Sequence, residues 1–366
     1  MTDSCLPEWC GALGVHRGSP ARGEVHYVPP VRTDVPFERV LGCLHGCAVG
    51  DALGLPMENL SPATITRRFG ALDRFHLVFR TGFVSDDTEQ TALVAQALAE
   101  GDDDDAVVRR FRRHLRFWFA RLPFGIGLAT LRACLKLWLG LSRSGVRSGG
   151  NGAAMRATIV GVVVSDRERR LSLGRRLAEV THTHPLAVEA ALYVAELAAV
   201  CARASKETSR RELVMKALEV VTEPQLRTAI TTALETPAEP EAAAKQLGST
   251  GFSLHSVGLC TWAFAHGAEV HDSLRLVIRA GGDTDTHAAI VGGWTGALAG
   301  ASAVPSRLVD SLARGPFGAR HLECLARTLA DGAPLRPWSA LIALARNLAL
   351  YPVVLAHGFR RLIPFG

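Results

Sequence analysis

Apolar and polar positions recur along this chain at helical rather than strand spacing. From Glu38 to Leu55 small and apolar residues dominate, with glycine at 42, 46, 50 and 54. Four-residue spacing places those glycines on one stripe of a helix. A glycine in a helix interior costs about 0.5–1 kcal/mol relative to alanine, so the repeat implies a compensating gain, the close approach of another backbone. Membrane helices use the same stripe, but His45 and Asp51 in this segment exclude that reading. Gly54-Leu55-Pro56 then breaks the helix and leaves Glu58 in a turn. Helical patterns follow over 91–99, 106–120, 126–141 and 171–204, the last interrupted by Thr181-His182-Thr183-His184-Pro185. Pro185 suits the first turn of a helix running to Arg203. Residues 206–250 read as two or three surface helices with joints at Pro237 and Pro240. Further helices are expected over 253–267, 272–280, 288–301 and 338–363. No internal repeat and no alternation sufficient for a sheet core is present. The expected fold is all-α, a single compact multi-helix domain over 37–366. Residues 1–36 carry Pro, Gly and charge without a period and read as a poorly ordered extension or a surface arm. The segment 338–363, with Arg346, Arg360 and Arg361, reads as a packed C-terminal helix, with a membrane-surface or partner helix as the alternative.

Composition narrows this picture. Of 366 residues 48% are hydrophobic and only 6% aromatic, which excludes global disorder and suits closely packed helices. The net charge of +6 admits anionic ligands without demonstrating one. Arg109, Arg110, Arg112, Arg113 and Arg116 read as a solvated helix face rather than a nucleic-acid surface. None of the eight cysteines forms a CxxC pair, and Cys43 and Cys47 lack further ligands at zinc spacing, so they read as buried thiols in a reducing compartment. No basic region followed by an apolar run opens the chain, and no clean apolar run of about 18 residues is seen. A cytoplasmic monomer without a spanning helix is expected.

Chemistry gathers in a few short clusters. Gly281-Gly282-Asp283-Thr284-Asp285-Thr286 precedes a helix of small residues, and Asp and Thr there read first as helix caps. A second cluster, Ser85-Asp86-Asp87-Thr88, opens another helix roughly 200 residues earlier. Carboxylate pairs repel unless a cation or proton lies between them, so two such pairs suggest one shared cation site. With Glu58, the residues Asp86, Asp87, Asp283 and Asp285 offer five carboxylates. Ser85 or Thr88, and Thr286, add neutral oxygens. All-oxygen ligation points to Mg²⁺, Mn²⁺ or Ca²⁺ rather than zinc or copper. The acidic run 102–105 reads as the cap of the next helix. The loop Ser148-Gly149-Gly150-Asn151-Gly152 before Ala153 is neither a P-loop nor a dinucleotide fingerprint, but its N–H groups and a following helix could face an anion. His182 and His184 are poorly spaced for zinc and read by default as capping or core residues.

Five blocks then appear together and in order: GCLHGCAVGDALGLPME (42–58), SDDTEQT (85–91), GNGAAMR (150–156), Thr181-His182 and GGDTDTHAA (281–289). In content and order they resemble the ADP-ribosylglycohydrolases, over roughly residues 37–315. The resemblance implies an all-α fold with two Mg²⁺ or Mn²⁺ ions in a cleft. It implies removal of ADP-ribose from modified protein side chains, arginine first and serine next, with no nucleic acid required. On this match Glu58 lies beside the metals and the scissile bond and counts among the ligands. Ser85, Asp86 and Asp87 resemble the ligands of one ion; Asp283, Asp285 and Thr286 resemble those of the other, with Asp285 as bridge. Glu58, Asp87 and Asp285 are the candidate catalytic carboxylates. Gly150, Asn151, Gly152 and Ala153 resemble a diphosphate cradle, and His182 a ligand contact; Met155 and Arg156 could equally be structural. Ser85 departs from the threonine usual in the family, and Ile278-Arg279-Ala280 lacks an asparagine often found there. Alternatives are a silent ADP-ribose binder, a hydrolase of a nucleic-acid base or acetyl ester adduct, and a two-metal phosphohydrolase. Retention of all five carboxylates favours the enzyme, because such clusters are unfavourable without ions.

Overall fold

A computed structural model describes residues 33–362 apart from 102, 206 and 337. It contains seventeen α-helices: α1 (Phe37–Gly54), α2 (Pro62–Phe69), α3 (Asp86–Glu100), α4 (Asp104–Phe119), α5 (Leu128–Trp138), α6 (Thr158–Val163), α7 (Arg167–Glu179), α8 (Pro185–Ala202), α9 (Arg210–Leu218), α10 (Pro224–Glu235), α11 (Pro240–Leu247), α12 (Ser253–His266), α13 (Val270–Arg279), α14 (Thr284–Ala299), α15 (Ser306–Asp310), α16 (Ala319–Asp331) and α17 (Ala340–Leu362). Only isolated β-bridges, no strands, occur among the described residues. The fold is all-α, as the periodicity predicts.

The centre of the molecule is the α1–α14 pair, and the glycine stripe explains it. A Cβ built at Gly42, Gly46, Gly50 or Gly54 would lie 2.0–2.3 Å from a carbonyl oxygen of Gly296, Gly292, Ala288 or Thr284. The contact is reciprocal, since Cβ atoms at Gly292 and Gly296 would meet Gly46 O and Gly42 O at 2.1 and 2.0 Å. Backbone therefore lies on backbone along four turns. Thr284 Oγ1 fixes the register by donating to Gly54 O at 2.9 Å. Around this pair α3, α6, α8, α12, α13 and α16 contribute to one apolar core.

Two sequence expectations change here. α1 and α8 are long and apolar enough to span a bilayer by composition, contrary to the reading that no such run exists, but both are buried inside the fold. The helix expected to start at Ala153 is a 3₁₀ turn, Asn151–Ala153, and α6 begins only at Thr158. The guanidinium of Arg156 occupies the carbonyl of Gly152, the acceptor an α-helix would need at that point. The acidic run behaves as a cap: Asp103 accepts from Ala106 N at 2.6 Å, and Asp104 and Asp105 pair with Arg169 and Arg176.

Of the expected N-terminal extension, residues 1–32 lie outside the described residues. Thr33 N already donates to Leu329 O at 3.1 Å, and Asp34 pairs with Arg203 at 2.6 Å. The C-terminal helix α17 packs on the body. Its Arg346 pairs with the buried Glu89 of α3, which also accepts from Trp118 Nε1 at 2.5 Å.

Candidate active site

The acidic clusters are delivered by helix ends. α1 runs out through Asp51 to the turn at Glu58, α3 opens after its N-cap Ser85, and α14 after its N-cap Asp283. Glycine is required at the last of these ends. Gly282 has φ +78°, and a Cβ there would lie 1.8 Å from Ser249 O; neither the backbone nor the space admits a side chain. Asn59 N donates to Gly282 O at 2.7 Å and Gly282 N to Leu60 O at 3.1 Å, which stitches the Glu58 turn to the Asp283 turn. Asp283 stands at the N-cap of α14 but makes no capping hydrogen bond, so the plain capping reading fails there. At the other cluster Ser85 does cap α3, accepting from Asp87 N at 3.3 Å.

All seven residues expected to hold metal converge. Carboxylate oxygens of Glu58, Asp283 and Asp285 lie within 4.8 Å of one another. Asp87 joins the two clusters: its Oδ2 accepts from Ser85 Oγ at 3.1 Å and from Thr286 Oγ1, 199 residues away, at 3.2 Å. Asp86 Oδ2 accepts from Gln90 Nε2 at 3.1 Å. Asp51, which the sequence reading left without a role, holds the start of α3. Its carboxylate accepts from Ser85 N, Thr88 N and Thr88 Oγ1 at 2.5–3.1 Å. A carboxylate on an otherwise glycine- and alanine-rich helix was the available signal for it, because a buried charge needs donors.

Burial and mutual repulsion push the carboxyls of Asp86, Asp87 and Asp285 well above the usual range. Burial also raises Asp51, to about 6, against the pull of its hydroxyl and N–H donors. The Oδ1 of Asp87 is buried with no hydrogen-bond partner. An orphaned carboxylate oxygen within an all-oxygen donor set fits a hard divalent cation.

The clusters open into a cavity of about 410 Å³, lined by Glu58, Asp86, Asp283 and Thr286 on one side and by Gly150, Asn151, Gly152 and His182 on the other. Ala153 is buried and does not line it. Asn151 serves the acidic side as well: its Nδ2 donates to Asp283 Oδ2 at 2.6 Å and to Ser256 Oγ at 2.9 Å. His184 caps α8. His182 packs edge-on against Gly152, where a Cβ would be 2.8 Å from its Cε1. Its Nδ1 lies 2.8 Å from Thr181 Oγ1, which also accepts from Arg156 Nη2 at 2.6 Å. Burial, with the nearby Arg156 charge, lowers His182 to about 3, so it is neutral. The walls at Gly125, Gly127–Thr130 and Thr250–Gly251 come from the loops before α5 and α12 and from the first turn of α5.

The profile of the ADP-ribosylglycohydrolase family matches residues 32–337. The chain belongs to the ADP-ribosylglycohydrolase family. Membership makes it a hydrolase of glycosidic bonds. It is 32% identical to an uncharacterised protein of Archaeoglobus fulgidus, over 75% of this chain and 92% of that one. It is 29% identical to the ADP-ribosylarginine hydrolase Tri1 of Pseudomonas putida, over 81% and 79%. The ADP-ribosyl-[dinitrogen reductase] glycohydrolase of Rhodospirillum rubrum is 29% identical over a shorter stretch, 42% of this chain and 55% of that one. A solved ADP-ribosylglycohydrolase-related protein complex superimposes with a TM-score of 0.61 at 27% identity, covering 85% of this glycohydrolase and 98% of its counterpart.

Proposed function

We propose that this glycohydrolase removes ADP-ribose from arginine side chains of modified proteins, using two Mg²⁺ or Mn²⁺ ions. The observation that carries the reading is the cavity itself, where Glu58, Asp86 and Asp283 line the same space as the glycine loop and a neutral histidine, with Asp285 and the orphaned Asp87 Oδ1 buried alongside them. Ser85, Asp86 and Asp87 would hold one ion and Asp283, Asp285 and Thr286 the other, with Glu58 at the rim. When bound, such ions supply Lewis-acid polarisation of ribose oxygens.

The chain's own groups do the rest. Ser85 and Thr286 hold Asp87 from both clusters, and Asn151 holds Asp283. Glu58, half-buried at the cavity and accepting from Asn59 Nδ2 at 3.1 Å, is placed to take a proton from the attacking water. His182 offers a ring N–H to a ligand oxygen. Arginine is favoured over serine by charge. Five carboxylates against two divalent ions leave one negative charge in excess, which suits a departing guanidinium more than a neutral hydroxyl. The name of the Pseudomonas putida relative points the same way. A monomer in a reducing cytoplasm is part of this proposal, consistent with the free thiols.

The test is release of ADP-ribose from mono-ADP-ribosylated arginine and serine peptides with Mg²⁺, with Mn²⁺ and with chelator. Metal-dependent release from the arginine peptide is expected, and Asp285→Ala should reduce it by roughly a thousandfold or more with the helical fold intact by circular dichroism. Wild-type turnover in that variant would sink the metal-centred scheme. ADP-ribose binding by calorimetry without release from either peptide would favour the silent binder.

A further inference from the structure

The last helix is amphipathic in the inverted sense. α17 turns its polar groups inward. Arg346 pairs with Glu89. Asn347, 1% exposed, donates through Nδ2 to Arg121 O at 2.9 Å, and the Tyr351 hydroxyl donates to Pro123 O at 3.2 Å. Its outward face carries Leu341, Ala345, Leu348, Pro352 and Leu355, a stripe at alternating spacings of four and three. All five are exposed, the three leucines at 78%, 52% and 56%. Scattered exposed leucines need no explanation, but a contiguous apolar helix face does.

A second projecting group stands beside it. Phe79 is 98% exposed at the tip of a turn closed by Thr81 N donating to Val78 O at 2.7 Å. Phe79 and Arg80 have φ of +40° and +65°. Turns with positive φ at both central positions are normally built from Asn and Gly, so a Phe-Arg tip is held outward against backbone preference. Leu77, Val78 and Phe83 of this loop share a small apolar cluster with Leu350 and Val354 of α17, which sets the tip alongside the helix.

Charge indicates what covers this face. Residues 332–362 carry arginine but no Asp or Glu, and the exposed Arg80 flanks Phe79. A second copy of α17 offers this basic segment no carboxylate. A bilayer with anionic headgroups offers hydrocarbon for the stripe and counter-charge for the arginines. Midway along α17, Arg346 and Asn347 are tied to Glu89 and Arg121 O of the body, which suits a helix lying on a surface rather than one crossing a bilayer. We propose that α17 and the Phe79 tip form a peripheral docking surface for anionic membranes, with α17 lying in the plane of the interface. α17 lies beyond the family match, which ends at residue 337, whereas the Phe79 tip lies within it. The seat of α17 at Arg121–Phe124 runs into the cavity wall at Gly125–Leu128, and the docked enzyme carries its cleft beside the lipid.

The test is co-sedimentation of the full-length protein with vesicles of phosphatidylglycerol and phosphatidylcholine in equal parts, against phosphatidylcholine alone. Melting temperature and light-scattering mass are recorded in parallel. Binding to the anionic vesicles only, weakened by salt, is expected. The Leu348→Glu/Leu355→Glu double variant should lose roughly tenfold or more of it with no change in melting or in mass. Phe79→Ser, in an exposed loop, provides the same readout should the double variant fold poorly. Absence of binding to anionic vesicles, or equal binding by wild type and both variants, overturns the proposal. So does a vesicle-free dimer that Leu348→Glu dissociates, which would assign the face to a second copy.

Discussion

Arg156 is buried and donates only to neutral acceptors: Gln90 Oε1, the carbonyls of Gly152 and Leu177, and Thr181 Oγ1. Arginine has no acceptor, so Thr181 accepts from it, and its own proton goes to His182 Nδ1 at 2.8 Å in preference to Ala178 O at 3.5 Å. The proton of His182 then sits on Nε2, facing the glycine loop. Because its folded pKa, about 3, lies below the unfolded value near 6.5, the neutral form stabilises the fold. That contribution is complete above pH 6.5 and declines as pH falls from there towards 3. Nitrogen NMR should show an Nε2–H tautomer with no titration between pH 8 and 5. Thr181→Val should mix the tautomers and raise KM more than it lowers kcat. A His182 that titrates near 6.5 would refute this account. The sequence singled out His182 but left Arg156 undecided between ligand and structure. A lone arginine in an alanine-rich loop carries no mark of which acceptors the fold will bring to it.

At the level of elements, the glycine stripe of α1 was legible because a four-residue period has one physical reading. Its partner was not, since nothing in the α14 sequence says which of many small-residue helices it will meet. Gly46→Ala places a methyl carbon 2.0 Å from Gly292 O, against backbone on both sides rather than a side chain that could swing away. It should destabilise by about 3 kcal/mol, the upper end for overpacking, measurable by urea denaturation. Metal affinity should fall with it, because α14 opens with one half of the site and α1 carries Asp51, which holds the start of α3 and with it the other half. A neutral substitution would mean that the helices can separate. Short elements escaped the sequence for a related reason: the 3₁₀ turn at Asn151–Ala153 is held by contacts from far along the chain, Asn151 N to Gly251 O and Asn151 Nδ2 to Ser256 and Asp283, which local propensity does not carry.

On the scale of the whole molecule, the carboxylates make stability depend on pH and on ions together. Asp51, Asp86, Asp87 and Asp285 all have folded values raised above the unfolded value near 3.8. Their ionisation therefore opposes folding. Chelated protein should lose stability as pH rises from about 4 through 6 and beyond, the reverse of acid denaturation. Divalent ions should restore it, by about 2.7 kcal/mol at a free concentration one hundred times Kd, and their effect on melting should be larger at pH 8 than at pH 5. Equal effects at both would argue against these groups as ligands. The ligand set was readable because each half occupies a few contiguous residues, Ser85-Asp86-Asp87 and Asp283-Thr284-Asp285-Thr286. The cavity walls were not, because Gly125 and Gly251 come from separate aperiodic loops, and nothing in the pattern of α5 marks Thr130 in its first turn as part of the lining.

Thr284 bonds across 230 residues to Gly54, and this has a consequence during synthesis. Of the helices among the described residues, the first to leave the ribosome is the one whose partner is made fourteenth. At about 5–20 residues per second, α1 waits on the order of ten seconds or more with its apolar stripe uncovered. The nascent chain is thus without a catalytic centre until most of it has been translated, and the waiting helix is a natural client for chaperones.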